Sequence, residues 1–448
     1  MKALHLVILT ALVGACAQVK PKPDFDRARE LVHASTGQSA VFDPYDEGLP
    51  PEQRDELLEN GLTLEEALRI ALVTNHELRA EFQEIGIAHA DWVQSQLMSN
   101  PSLDVLVRFP RDGGRYFLEA ALGFALLDLW RVPVQSEAAR HELEATVLRI
   151  ARNAGERLAD TRNAYLEAVA AEELVQVADA NLALAQRFVA AVRARREAGA
   201  ADALDESTAR GPELVADLDL RTARIDAAKA KRELAKLLSL EHSVDQLQLS
   251  DALPTTGQPP LDAEALVAAA LSSRLDLRAI DTTVEAMDAR LTLEERKAWG
   301  ELSVGPSFER PAVFGSSTVG GTVSLALPIF DQNQAQVARA GFELQRVMQL
   351  RESARVAVAQ DVRSATQRVN TASENLSFYR EELLPQAELS LSLAEESYTS
   401  GQTTLAELVE FQRGLVTARR SHVVLCLEAA ISASELERVV GAPLRPQD

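Results

Sequence analysis

The chain has 448 residues, 46% of them hydrophobic and 25% charged, so it carries enough apolar side chains for packed structure and is not disordered throughout. Its 46 basic and 67 acidic residues give a net charge of -21, which argues against nucleic acid as a partner because phosphates require a basic surface. Two cysteines are too few for a disulfide framework, and no apolar run after the N-terminus is long enough for a transmembrane helix. An Ala-, Leu- and Glu-rich chain of this kind is expected to be mostly helical.

The N-terminus has the features of a signal peptide over residues 1–15. Lys2 precedes an apolar stretch from Ala3 to Val13, which is too short to span a bilayer in the mature protein. The following Gly14-Ala15-Cys16 completes a motif that resembles a bacterial lipobox, and this resemblance implies cleavage before Cys16 and lipid attachment to it. An ordinary secretory signal that contains a cysteine is the alternative.

Residues 16–60 are predicted to form a lipid-anchored extended segment. Five prolines occur between residues 17 and 51, and the hydrophobic residues there show little periodicity. Prolines punctuate regular structure, so the segment is expected to act as a tether.

The rest of the chain is predicted to be two copies of one design. The segments at Glu66–Leu68 and Glu77–Ala80 recur as Glu264–Leu266 and Asp276–Ala279, about 200 residues later. These echoes define a first repeat over residues 61–253, a linker over 254–260, a second repeat over 261–441 and a tail over 442–448.

Each repeat contains one segment pair with the two-residue alternation of β-strands, at about residues 102–124 and 301–327. Apolar residues alternate with polar or small ones, and the turn sequences Pro110–Gly114 and Pro311–Ser316 interrupt each pair. Both pairs are therefore predicted to be β-hairpins. Strands of a soluble sandwich would have the same pattern.

The number of strands limits what the hairpins can form. Strands of roughly 9–11 residues are long enough to cross an outer membrane, but four strands cannot close a barrel. An open sheet edge in lipid would leave backbone groups without hydrogen bonds. Either the hairpins pack in water against helices, or several chains pool their strands, and three chains would supply about twelve, enough to enclose a pore. Trp130 and Trp299 lie near the strand ends, where an interfacial aromatic belt is expected.

Two very long helices are predicted, from about Val132 to Arg195 and from about Gln332 to Ser400. Prolines and glycines are nearly absent from both segments. Each helix would extend roughly 95–105 Å, too long for one globular core, so a coiled coil or a wall of helices is expected. Return helices over about Ala203–Leu240 and Thr404–Val440 supply the partners.

Several motifs in this order resemble those of the TolC-like outer membrane efflux protein family. They are the lipobox at Cys16, Leu64–Ala80 with its echo at Glu264–Ala279, Leu327–Asp331, and the segment from Tyr398 through Gly401, Glu407 and Gln412 to Arg419. The first repeat has Leu127–Trp130 where the second has Pro328–Phe330, which leaves the geometry of its strand-to-helix junction open. The resemblance implies a mostly α fold with a small β part: a duplicated long-helix coiled-coil barrel plus four transmembrane β-strands per chain, completed as a twelve-strand barrel in a homotrimer. It also implies docking on a periplasmic adaptor, or membrane fusion protein, and an inner-membrane transporter.

The same resemblance implies a gate at the periplasmic tips of the helices. Acidic residues six and nine positions after Gly401 would form rings in the trimer, and these are Glu407 and Glu410. In the first repeat, Asp202 and Asp205 follow the corresponding glycine by three and six positions. Rings of carboxylates in a narrow mouth attract cations. Solvated surface carboxylates are the alternative.

The turns that contain Gly199 and Gly401 are predicted to be the adaptor-docking surface. They are the exposed ends of the coils, over Ala198–Asp202 and Ser400–Thr404. Glycine supplies the positive φ that a tight reversal needs. A turn without a docking role is the alternative.

Neither a metal site nor a catalytic site is predicted. His422 and Cys426 lie four residues apart on one helix face, but no third ligand is near in sequence, so packing is preferred to metal binding. No phosphate loop, HExxH motif or nucleophile elbow is present, so the chain is not expected to be an enzyme or to need a cofactor.

Two functions from different classes fit the sequence. The first is the outer membrane exit duct of a tripartite efflux system, lipid-anchored, gated at its periplasmic tips and passively conducting small molecules or ions. The alternative is a structural or adhesive coiled-coil lipoprotein that spans the periplasm without a pore. Both explain the lipobox and the long helices, but only the duct explains two amphipathic hairpins at equivalent places in a duplicated chain. The cargo is left open.

Overall fold

The structure is a computed structural model that describes residues 18–39, 41–45, 50, 61–111, 113–240, 247–312 and 315–444. The predicted signal peptide and Cys16 lie outside the described residues. The chain divides into two compact units. The first comprises Met1–Ala28, Glu81–Ile150 and Leu275–Arg355, and the second Arg29–Ala80, Ala151–Arg274 and Val356–Asp448.

Helices make up most of the described chain, and four strands form its sheet. The helices are α1 (Lys22–Thr36), α2 (Leu64–Thr74), α3 (His76–Ser95), α4 (Asp128–Glu197), α5 (Ala203–Leu237), α6 (Ala263–Ser273), α7 (Leu275–Lys297), α8 (Gln334–Phe378), α9 (Leu384–Thr399) and α10 (Leu405–Val440). The strands are β1 (Ser102–Arg108), β2 (Phe117–Ala125), β3 (Leu302–Arg310) and β4 (Thr318–Leu325). The order of two helices, two strands, a long helical segment and a return helix occurs twice, as the internal echoes predict.

The sheet belongs to the first unit and confirms both predicted hairpins. Its strand order is β1-β2-β3-β4, and every neighbouring pair is antiparallel. The central pairing of β2 with β3 joins the strands of the two repeats. Val105 lies opposite Ala120, Ala120 opposite Phe308, and Phe308 opposite Val319, so this row of side chains shares one face. β1 and β4 form the two edges.

The register divides the sheet into an apolar face and a polar face. The apolar face carries Leu103, Val105, Val107, Leu118, Ala120, Leu122, Phe124, Leu302, Val304, Pro306, Phe308, Arg310, Val319, Gly321, Val323 and Leu325. The opposite face carries mostly Asp, Glu, Ser, Thr, Gly and Ala. Large apolar side chains of the first face are exposed, with Val319 81% and Val323 71% accessible in the single chain. A contiguous apolar face of this kind indicates a surface that meets lipid or a partner.

The extended structure predicted for residues 16–60 is wrong where the chain forms α1. Pro21 and Pro23 lie before and in its first turn, where proline is tolerated because those N–H groups lack helical partners anyway. Phe25, Ala28 and Val32 are buried along one side of the helix. The helical spacing of these three apolar residues predicts the structure of this segment better than its proline content does.

The predicted long helices and their return helices are confirmed, with one interruption. α4 is a single helix of 70 residues that includes Pro133 near its start. The second long segment, predicted as continuous from Gln332 to Ser400, contains a π-helical turn at Tyr379–Leu383 between α8 and α9. Pro385 follows this turn and cannot donate a backbone hydrogen bond, so the chain widens locally instead of continuing the α-helical ladder.

A buried tyrosine ties the core of the second unit to the segment just before α2 and to a carboxylate in the segment that follows α5. Tyr165 is fully buried, and its hydroxyl lies 2.7 Å from the Leu62 carbonyl and 3.0 Å from Asp251 Oδ2. The same carboxylate oxygen accepts the N–H of Leu64 at 2.6 Å. Burial raises the pKa of Tyr165 far above its ordinary value, so the hydroxyl stays protonated and serves as a donor.

Replacing Tyr165 with Phe is expected to destabilise the second unit by about 1–2 kcal/mol, since one buried hydrogen bond is lost while both acceptors keep backbone donors. Thermal unfolding in detergent should show a lowered midpoint. The matched control is Tyr379→Phe, at a half-buried tyrosine, which should change the midpoint little. Equal shifts in both variants would contradict the role given to Tyr165.

Candidate functional sites in the two units

The first helical tip, between α4 and α5, lies in the second unit and is built from two capping motifs. Gly199 has a φ of 76°, and the Ala200 N–H donates to the Arg195 carbonyl at 2.8 Å, so α4 ends in a Schellman-type reversal. α5 begins with a capping box, in which Asp202 Oδ1 accepts the Asp205 N–H at 2.8 Å and Asp205 Oδ2 accepts the Asp202 N–H at 3.1 Å. The turn is thus fixed from both sides.

The second tip, between α9 and α10, repeats this construction. Gly401 has a φ of 78°, and the Gln402 N–H donates to the Ser397 carbonyl at 2.8 Å. α10 begins with a capping box in which Glu407 Oε2 accepts the N–H and hydroxyl of Thr404, each at 2.9 Å. The duplication therefore extends to the hydrogen bonds of the turns.

The two tips pack against each other within the second unit. A small apolar cluster joins them, formed by Val189, Val192, Ala209, Leu405 and Val409. The Arg195 guanidinium lies 4.7 Å from the ring centroid of Tyr398, within cation–π distance. The tips thus form one surface of the chain rather than two separate turns.

An arginine pair next to the first tip holds a carboxylate in its charged form. Arg196 and Arg193 both donate hydrogen bonds to Glu206, and Arg193 Nε lies 3.1 Å from Glu206 Oε1. The hydrogen bonds from Arg196 and then Arg193 lower the pKa of Glu206 below its usual value. This carboxylate stays ionised at neutral pH.

Three of the four predicted gate carboxylates also act as helix caps. Asp202 and Asp205 cap each other's backbone, and Glu407 is exposed but bound to Thr404, whose N–H and hydroxyl lower its pKa. Glu410 differs, because its side chain is 79% exposed and its ion pair with Arg413 is long, at 3.9 Å. The capping roles were missed from the sequence although the signal is present, since Thr404-x-x-Glu407 and Asp202-x-x-Asp205 both fit the capping-box pattern.

His422 and Cys426 lie close together on α10. Their Nε2 and Sγ atoms are 3.9 Å apart. Burial, followed by the charge of Glu173, raises the pKa of the Cys426 thiol to about 11, which disfavours the thiolate that metals prefer. Within the described residues, no group of three or more His, Cys, Asp or Glu is placed to hold a metal ion.

A tryptophan pair lies at the helix end of the sheet in the first unit. The rings of Trp130 and Trp299 meet edge to face with centroids 6.3 Å apart, and the Arg296 guanidinium lies 5.0 Å from the Trp130 centroid. Arg131 also binds the Gly300 carbonyl there. Aromatic rings with adjacent cations are typical of a membrane–water interface.

A second aromatic group lies at the loop end of the same sheet. The rings of Phe109 and Tyr116 are 6.1 Å apart, and the Arg310 guanidinium lies 4.1 Å from the Tyr116 centroid. The apolar face is therefore bounded at both ends by aromatic residues and arginines. Only the tryptophan end was predicted from the sequence; the signal for this second end is an aromatic residue on each side of the first hairpin turn, Phe109 and Tyr116.

None of the described helices has an apolar stretch of the length that would cross a bilayer.

Known proteins that are similar to this chain include outer membrane efflux and export proteins. The family model described as outer membrane efflux protein matches residues 266–442. The cobalt-zinc-cadmium resistance protein CzcC of Cupriavidus metallidurans is 24% identical over 387 residues, covering 85% of this chain and 90% of its own length. The pyoverdine export outer membrane protein OpmQ of Pseudomonas putida is 25% identical over 294 residues, and this chain spans 61% of it.

Solved structures agree on the fold. The outer membrane protein VceC of Vibrio cholerae superposes with a TM-score of 0.70 at 16% identity, covering 85% of this chain and 96% of that one. At this identity the likeness concerns the fold alone. The arrangement of long helices with a small antiparallel sheet is therefore that of a known outer membrane protein.

Proposed function

We propose that the chain is a member of the outer membrane efflux protein family, whose model matches residues 266–442, and that three copies of it assemble into the outer membrane exit duct of a tripartite efflux system. The duct would conduct its cargo passively to the outside from a periplasmic adaptor and an inner-membrane pump. The family consists of transport ducts, and we assign the chain no catalytic step.

The observation that carries the proposal is the exposed apolar face of a four-stranded sheet with two edges. A sheet that met lipid as a single copy would leave the backbone of β1 and β4 without partners, at several kcal/mol for each unsatisfied group. Three copies supply twelve strands, whose edges can pair in a ring with the apolar face outward. The polar face, with Asp104, Glu119 and Glu309, would then line a water-filled lumen.

The non-pore alternative explains this sheet less well. A structural or adhesive lipoprotein that spans the periplasm has no use for large apolar side chains exposed on one face of a sheet. The aromatic groups at both ends of that face, Trp130 with Trp299 and Phe109 with Tyr116, favour a membrane position.

The tip surface is proposed as both the gate and the adaptor-docking site. Copies of Glu407 and Glu410 would form acidic rings around a three-fold axis, and Asp202 and Asp205 would add charge nearby. Adaptor contact at the turns around Gly199 and Gly401 would splay the tips and separate the rings. The apolar cluster that joins both tips supports this, since it lets them move as one body.

Cargo selection is proposed to lie with the pump rather than the duct. The two relatives are named for resistance to cobalt, zinc and cadmium and for export of pyoverdine, which are chemically unrelated cargoes. The net charge of -21 suits cations but does not by itself select them. Lipid attachment at Cys16 would fix the complex to the outer membrane in addition to its barrel.

The full-length protein, purified from outer membranes in detergent, tests the proposal. Native mass measurement should give three copies per complex, and planar bilayers that receive it should show discrete conductance steps. Treatment with denaturant before reconstitution is the control and should abolish the steps. A water-soluble monomer that adds no conductance would overturn the duct and favour the non-pore alternative.

A further inference from the structure

One charged residue lies on the otherwise apolar face of the sheet. Within the four described strands, Arg310 is the only ionisable side chain whose register places it on that face, beside Leu118 of the neighbouring strand. The acidic residues Glu119 and Glu309 pair with each other on the opposite face. Arg310 is therefore a cation with no acidic residue directly opposite it on the neighbouring strand.

Arg310 lies at the loop end of the sheet and is supported by aromatic rings. Its guanidinium is 4.1 Å from the centroid of Tyr116, which in turn contacts Phe109. Phe109 is 79% exposed in the single chain. Arg310 Nε is buried and has no hydrogen-bond partner among the described residues. The contact with the Tyr116 ring holds the guanidinium in place at the loop end of the sheet.

The energetics of a lipid-facing arginine depend on its depth. An arginine that faces lipid is strongly destabilising at the bilayer midplane and only weakly so near the membrane–water interface. A position at the end of β3, level with an aromatic pair, corresponds to the interface. There the planar guanidinium fits phosphate oxygens in a two-pronged geometry that a lysine cannot reproduce.

We propose that Arg310, supported by Tyr116 and Phe109, binds the phosphate of an anionic lipid headgroup in the outer leaflet. This rests on the proposed function, which places the hairpin loops at the outer surface because the helices leave the opposite end of the sheet. The ligand is a phosphorylated glycolipid of the lipid A class, whose phosphates lie at the level of the membrane–water interface. Arg111 and Arg115 of the adjoining turn add positive charge at the same end, and the sequence of that turn also contains Asp112, which lies outside the described residues.

The chain offers a matched control at nearly the same height. Arg108 is the last residue of β1 and lies opposite Phe117, on the polar face, with its guanidinium 5.6 Å from that ring. It shares with Arg310 the charge, the neighbouring aromatic ring and the position at the loop end. The two differ in the face of the sheet that they occupy.

Native mass spectrometry of the full-length complex with added lipid A tests the inference. Arg310→Gln should lower the retained lipid about tenfold, the loss expected for one charge-assisted phosphate contact, while Arg108→Gln should change it less than about twofold. Lipid A with its phosphates removed should bind the unaltered protein as weakly as native lipid A binds Arg310→Gln. Arg310→Lys should retain part of the binding, which separates charge from folding.

Three results would overturn the lipid site. The first is equal lipid retention by the Arg310 and Arg108 variants, and the second is equal retention of lipid A with and without phosphate. Displacement of lipid A by inorganic phosphate alone would also reject a lipid headgroup in favour of a soluble anion. Bilayer conductance of each variant distinguishes failure of the lipid site from failure of the exit duct. Normal conductance together with equal lipid binding by all variants would reject the lipid site but not the duct.

Discussion

Replacing Ala120 with Arg is expected to reduce assembled complex in the outer membrane by at least about tenfold, because a lipid-facing arginine near the midplane costs about 2–4 kcal/mol in each copy. Ala120 lies near the middle of β2, on the apolar face, between Val105 and Phe308 of the neighbouring strands. The measurement is the amount of heat-resistant oligomer in purified outer membranes.

The next residue provides the control for this prediction. Ala121 has the same side chain and also belongs to β2, but it lies on the polar face, between Asp104 and Ser307. Arginine at this position faces the proposed lumen next to a carboxylate, so Ala121→Arg should assemble almost normally. Equal loss in both variants would mean that the apolar face does not meet lipid.

Removing the charges of Glu407 and Glu410 is expected to weaken block by multivalent cations about tenfold, since rings of carboxylates concentrate such cations. Glutamine is the informative substitution at position 407. A glutamine at the third position of α10 can still accept the N–H of Thr404, so Glu407→Gln with Glu410→Gln removes charge while keeping the capping box. The measurement is block in planar bilayers.

Thr404→Ala is the converse variant, which keeps the carboxylate of Glu407 and removes the cap. Loss of an N-cap costs about 1 kcal/mol, so the start of α10 should fray while cation block stays near that of the unaltered protein. If Thr404→Ala weakens block as much as the glutamine pair does, the carboxylate at position 407 serves the turn and not a gate.

The sequence predicted the hairpins well because their signal is local. Alternation with period two and a turn sequence between the runs decide both the pairing and the face of each side chain, as at Val105 and Val323. The pairing of β2 with β3 is not local, since it joins residues about 190 apart, such as Ala120 and Phe308. No short pattern encodes such a contact.

The helix α1 and the tips show where pattern arguments failed. Counting Pro21 and Pro23 as helix breakers ignored the first-turn positions at which proline costs nothing. At the tips, the family resemblance implied a gate, and the hydrogen bonds of Asp202, Asp205 and Glu407 show that these carboxylates also serve the backbone. A carboxylate that caps a helix can also contribute to a gate. Substitutions that affect capping and charge differently are needed to separate these two roles.

The sheet described above has an even number of alternating strands, and its two edges run in opposite directions. The far edge of one copy can therefore join the near edge of the next copy with the same antiparallel pairing, and so on around a ring. This edge pairing does not depend on the number of copies, because each added copy presents the same two edge strands. The number of copies that close the ring is therefore not set by edge pairing alone, and the tilt and stagger of the strands must contribute to it.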